Sequence, residues 1–158
     1  MSRRVKGGGN LRTMVDITNG NISIEAPIAR VRELLFDIEK YPTWSSAIKS
    51  AEILEKNANG QVISAKLKVD AGVMKDRVTL DYDWSGAPGK LSFSLADADL
   101  LTAMDGAYTI TSEDEDTTQV VYELSVDLSM PIPAMMRRKA EKATIEMLLN
   151  QLKSAAEE

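Results

Sequence analysis

Residues 118–153 read TQVVYELSVDLSMPIPAMMRRKAEKATIEMLLNQLK, and the change of period inside that stretch decides the fold. From Thr118 to Leu128 an apolar side chain falls on every second position, at Val120, Tyr122, Leu124, Val126 and Leu128. That alternation predicts a strand with one face on a core and the other in water. Pro131 and Pro133 then interrupt the backbone, and from Ala134 to about Lys153 there is neither Gly nor Pro, while Ala, Met, Leu, Lys and Glu dominate. Those are strong helix formers, so the longest helix of the chain is expected there. At 100° per residue Met136, Ala140, Ala143, Thr144 and Met147 share one stripe, and Ile145, Leu149 and Leu152 lie beyond it. The apolar surface of this helix is therefore wider than a single seam.

Working outward, Asn21 to Glu25 alternates as a short strand, and Pro27 presets the first turn of a helix that carries Ile28, Val31, Leu34, Leu35 and Ile38 at helical spacing. Pro42 stops that helix near Ile38, and Trp44, Ala47 and Ile48 fit a second short helix. From Ala51 onward the period becomes 2. Asn57-Ala58-Asn59-Gly60 is a hairpin turn between strands Glu52–Lys56 and Gln61–Val69. Asp70-Ala71-Gly72 turns the chain again, and Met74 to Trp84 sets Met74, Val78, Leu80, Tyr82 and Trp84 on one face with Asp76 among them. Further strands run through Leu91, Phe93 and Leu95, and through Met104, Gly106, Tyr108 and Ile110. The order is one strand, two short helices, six hairpin-connected strands and one long helix, which is α+β. A seven-stranded curved antiparallel sheet of this size needs the long C-terminal helix as the cover of its concave face.

The 158 residues suit one domain. A hydrophobic fraction of 44% and a charged fraction of 27% are those of a soluble globular chain. A formal charge of -5 repels a phosphate backbone, so nucleic acid is not an expected partner. The chain has no Cys and no His. That removes disulfides, thiolate and Ser-His chemistry and His-zinc sites, and leaves carboxylates, Lys, Arg and Tyr as reactive groups. No metal site and no cofactor are expected. Glu113 to Asp116 lack the ligand spacing and central glycine of a calcium loop and read as a hairpin tip. Ser2, Arg3, Arg4, Val5, Lys6 and Gly7 to Gly9 precede no apolar run of signal or spanning length. Residues 1–20 are expected to be a flexible tail, 21–153 the domain and 154–158 a short C-terminal tail, in a cytoplasmic protein.

Several motifs carry a resemblance. Asp37-Ile38-Glu39-Lys40-Tyr41-Pro42-Thr43-Trp44, Ala71-Gly72-Val73-Met74-Lys75-Asp76-Arg77-Val78 with Tyr82-Asp83-Trp84, Met104-Asp105-Gly106-Ala107-Tyr108, and Met130-Pro131-Ile132-Pro133 before Arg137-Arg138-Lys139-Ala140-Glu141 resemble the polyketide cyclase/dehydrase branch of the START-like (SRPBCC) superfamily. That branch also includes coenzyme Q-binding and ribosome-association-toxin groups, and the likeness spans Asn21 to Lys153. The resemblance implies the helix-grip (START-like, Bet v 1-like) fold and a cavity under the C-terminal helix for a lipid, quinone, polyketide or similar apolar ligand.

Met74, Val78, Leu80, Tyr82, Phe93, Tyr108, Tyr122, Leu124, Met136, Ala140, Ala143 and Met147 are the residues expected to face a ligand, each also suited to an ordinary core. Asp76 is the one candidate acid/base, with a structural ion pair as its other reading. Arg137, Arg138, Lys139 and Lys142 form a basic patch suited to transient contact with an anionic membrane or to plain solvation. Three functions follow: a non-catalytic carrier or sensor of a hydrophobic molecule; an aromatase/cyclase leaning on Asp76 and the tyrosines; and a protein-interaction module. The absence of His and Cys favours the first.

Overall fold

A computed structural model describes residues 17–72 and 74–158. The chain runs β1 (Thr18–Ile24), α1 (Ile28–Phe36), a 3-10 helix (Ile38–Thr43), β2 (Ile48–Lys56), β3 (Val62–Asp70), β4 (Lys75–Asp83), β5 (Lys90–Ala98), β6 (Leu101–Asp114), β7 (Thr117–Leu128) and α2 (Ala134–Ala156). The seven strands form one antiparallel sheet in the order β1-β7-β6-β5-β4-β3-β2. Six consecutive strands pair with their chain neighbours, and β1 adds to the far side of β7, with Thr18 opposite Leu124 and Ile24 opposite Thr118. The architecture is the α+β helix grip expected from the sequence.

Local chemistry accounts for the elements. The Asn57 Oδ1 accepts the N–H groups of Asn59 at 2.9 Å and Gln61 at 3.0 Å, and Gly60 supplies φ of 81°, which together close the β2–β3 hairpin. Register irregularities between Ile53 and Glu55, Thr79 and Leu80, and Leu101 and Ala103 bend the strands and give the sheet its concavity. α1 buries Val31 and Leu35. The second short helix holds Pro42 and ends before Trp44, earlier than the Trp44–Ile48 placement expected. Ile48 instead starts β2.

The domain edges also differ from expectation. β1 begins at Thr18, inside the segment assigned to the tail, because Gly20 and the asparagines around it hide the strand period from a hydropathy reading. Residues 1–16 of that tail lie outside the described residues. At the other end α2 continues through Ala156, where Ala155 accepts a hydrogen bond from Arg30 Nη2 at 3.2 Å.

Candidate functional site

The concave face is built by strand parity. Met74, Val78, Leu80, Tyr82, Phe93, Tyr108, Tyr122 and Leu124 are all buried. On this face an aromatic ladder crosses four neighbouring strands: Tyr82 of β4, Phe93 of β5, Tyr108 of β6 and Tyr122 of β7. Successive ring centroids lie 6.1, 6.0 and 4.6 Å apart. Gly106 sits opposite Phe93, and a side chain there would run into the Phe93 ring, so the missing Cβ is what lets the ring lie flat on β6. Tyr41, from the 3-10 helix, completes the set. All four tyrosines of the chain therefore meet on one wall.

Their hydroxyls are organised. Tyr41 Oη donates to the Leu35 carbonyl at 2.6 Å. The Tyr108 and Tyr122 rings stand against each other in the same buried space, 4.6 Å between centroids. Burial pushes all four phenols above their ordinary value of 10.0, with neighbouring phenols adding to the shift at Tyr41, Tyr82 and Tyr108. Near neutral pH they are neutral donors and acceptors.

These residues enclose a cavity of about 30 Å³ with Ala47, Ile48, Leu67, Val69, Met74, Leu80, Met104, Thr144 and Leu148. That is about the volume of one water molecule. Larger spaces occur on the surface, including a groove of about 470 Å³ between β1 and α2. That groove is open and partly lined by Asn19, Asn21, Lys142, Glu146 and Asn150, so the enclosed apolar space is the better small-molecule site.

α2 presents a different face from the one expected. Its buried residues are Glu141, Thr144, Ile145, Leu148, Leu149, Leu152 and Ala156. Met136 is 59% exposed, and Ala140, Ala143 and Met147 are half-buried outside the cavity wall. At 100° per residue the two stripes differ by roughly 150° about the helix axis. The reason is Glu141, which is fully buried. Its carboxylate accepts from Val126 N at 2.8 Å and from Thr18 Oγ1 at 2.5 Å. Val126 lies beyond the last described β1–β7 pair, Thr18 with Leu124, so Glu141 caps a ladder donor at the end of β1. Arg137 adds a 3.0 Å bond to Asp127 and stands 4.0 Å from Glu141. These polar ties set the rotation of the helix.

Asp76 is buried on the inward parity of β4, between Met74 and Val78. Its partners are backbone amides rather than side-chain cations. Oδ1 accepts from Arg77 N at 2.8 Å and Asp99 N at 3.2 Å; Oδ2 accepts from Leu100 N at 3.0 Å and Leu101 N at 2.8 Å. The carboxylate pins the β5–β6 turn onto the start of β4 and lies outside the aromatic cavity. Thr144, a member of the expected stripe, does line the cavity, whereas sequence reasoning missed Tyr41, Leu148 and Glu141. Tyr41 was visible as a motif residue, but its burial depends on the 3-10 turn. The remaining polar atoms of interest are Trp44 Nε1 and Ser45 Oγ, buried without a hydrogen-bond partner beside Tyr41, whose ring lies 5.2 Å from that of Trp44. Among the described residues no group of three His, Cys, Asp or Glu side chains is placed to hold a metal, and no helix is long and apolar enough to cross a membrane.

A curved antiparallel sheet gripping a C-terminal helix over an aromatic interior defines the helix-grip class. The family profile described as polyketide cyclase / dehydrase and lipid transport matches residues 24–153, and the chain belongs to that family. Among solved structures, a START superfamily protein of Mycobacterium smegmatis aligns with a TM-score of 0.84 at 22% identity, covering 89% of this chain and 97% of that one. The ZhuI aromatase/cyclase of a Streptomyces species aligns with a TM-score of 0.73 at 21% identity, covering 89% and 93%. A major latex-like protein of Panax ginseng reaches 0.70 at 9% identity, covering 89% and 96%. At these identities the likeness is one of fold. No curated protein matches the chain.

Proposed function

We propose that the protein binds a hydrophobic, ring-bearing small molecule between the sheet and α2, as a carrier or sensor. The observation that carries this reading is the gathering of all four tyrosines, with Phe93, on one buried wall. A core needing bulk alone is served by Phe and Leu, whereas buried phenols need hydrogen-bond partners and offer polar marks to a guest. A drug-sized ligand needs a few hundred Å³, so the cavity of about 30 Å³ must expand on binding. Expansion is feasible because α2 packs chiefly on β1 and β7 and meets the cavity through Thr144 and Leu148.

The cyclase reading has less support. The cavity lining contains no carboxylate and no cation. Acid/base work there would fall to phenols that burial keeps protonated at neutral pH, which suits donating hydrogen bonds and not removing protons.

Titration with a fluorescent apolar probe such as 1-anilinonaphthalene-8-sulfonate is the direct test, together with mass spectrometry of a solvent extract of the purified protein. One saturable site is expected, lost in Leu148→Trp, which fills the cavity. A folded protein that neither saturates nor yields an extractable compound, or Leu148→Trp binding as well as the parent, overturns the reading.

A further inference from the structure

Large hydrophobic side chains exposed among the described residues are Leu54, Leu100, Met130, Ile132, Met135 and Met136. All except Leu54 gather at one end of the sheet. Leu100 belongs to the β5–β6 turn and the others to the β7–α2 connection and the first turn of α2; Ser129 N donates to the Leu100 carbonyl at 3.2 Å and joins the two segments. Met130 and Met135 are 70% and 77% exposed, so they protrude. Pro131 and Pro133 cannot donate to a ladder, which leaves this connection free of the sheet. Five clustered apolar side chains are more than a surface carries by chance, and such a patch marks a contact site.

The charge around the patch identifies the contact. Lys68, Lys75 and Arg77 are exposed along the groove that also holds Leu100. Arg138, Lys139 and Lys142 are exposed on α2 immediately behind the methionines. Asp70, Asp76 and Asp99 share the Leu100 groove and balance its three cations, so the excess of positive charge lies on α2, at Arg138, Lys139 and Lys142. This basic collar stands out on a chain whose net charge is -5. At 1.5 Å of rise per residue, Lys139 and Lys142 lie about 4.5 and 9 Å behind Met136 along the helix. That spacing matches the depth over which an interfacial segment passes from acyl chains to phosphates. Protruding, unbranched methionines with cations one and two turns behind fit a layered, deformable surface better than a rigid pocket.

We propose that this tip docks on a bilayer carrying anionic lipid, with Leu100, Met130, Ile132, Met135 and Met136 in the interface and the collar on the headgroups. The tip lies at the sheet end where Val69, Met74 and Met104 line the cavity, so docking would bring the two together. Membrane binding itself does not depend on the cavity holding a ligand.

The test is flotation of the full chain with vesicles of phosphatidylcholine plus phosphatidylglycerol, against phosphatidylcholine alone. Binding to the anionic vesicles, weakened by salt, is expected. Each Lys or Arg near an anionic surface contributes about 1 kcal/mol, so Arg138→Ala with Lys139→Ala should weaken binding about 30-fold. Met135→Glu with Met136→Glu should abolish flotation, while Leu54→Glu on another part of the surface leaves it unchanged. Unaltered melting and probe binding in these variants show that fold and cavity survive. No flotation of the parent, equal flotation with neutral vesicles, or equal binding by the tip variants overturns the proposal. So does a parent dimer in sedimentation velocity that the tip variants split, which would make the patch a contact between copies.

Discussion

The two walls of the cavity obey different rules. On the strand wall every residue expected to face inward, from Met74 to Leu124, is buried. On the helix wall the expected stripe is turned roughly 150° away, on 100° per residue, and Met136 stands in water. A strand offers two faces, so one clear alternation settles which is inside. A helix offers a continuum, and α2 carries apolar residues nearly all round. Its orientation is decided by a buried carboxylate, which hydropathy counts as a surface residue.

That contrast can be pressed with measurements, beginning with the strand wall. The four phenols sit above their ordinary value of 10.0 because they are buried. Below pH 10 they are protonated in both folded and unfolded chains, and no stability is lost. Above it the unfolded chain releases protons that the folded cavity retains, so stability falls as pH rises. Absorbance titration should show the four phenols ionising together at the unfolding transition. Independent ionisation near pH 10 in folded protein would contradict their common burial.

Next comes the helix anchor. Glu141→Ala leaves Val126 N without its acceptor and removes the neighbour of Arg137. Chemical denaturation should show a loss of about 3–5 kcal/mol, the scale for breaking a buried charged network. A loss below 1 kcal/mol would mean that packing, not Glu141, orients α2. A last pair of substitutions compares the two stripes directly. Leu148→Ala should cost about 2–5 kcal/mol and enlarge the cavity, whereas Met136→Ala should change stability by about 0.5 kcal/mol or less. The reverse ranking would restore the orientation expected from the sequence.

Much of the fold was legible because turns and periods are local. Asn57 to Gly60 fixed one hairpin, and Val120 to Leu128 fixed the parity of the strand that pairs with both β6 and β1. The start of β1 was not legible, since Thr18, Asn19 and Gly20 gain their strand character from β7, about a hundred residues away. The site divides along the same line. Tyr82, Tyr108 and Tyr122 followed from alternation, and Asp76 was marked as an odd inward carboxylate. Its bonds to Asp99, Leu100 and Leu101 could not be read, because they depend on how β5 turns into β6. Glu141, among Arg138, Lys139 and Lys142, looked like one more solvated charge.

Beside the cavity, Ser46 N donates to Gln151 Oε1 at 2.9 Å and Gln151 Nε2 donates to Ser46 Oγ at 2.6 Å, both at the surface. Two neutral hydrogen bonds contribute about 1 kcal/mol each, little beside the packing of the aromatic wall. Ala47 and Ile48, the next residues, line the cavity. The pair ties the start of β2 to α2 at the rim of the aromatic interior, with little energy holding that rim shut.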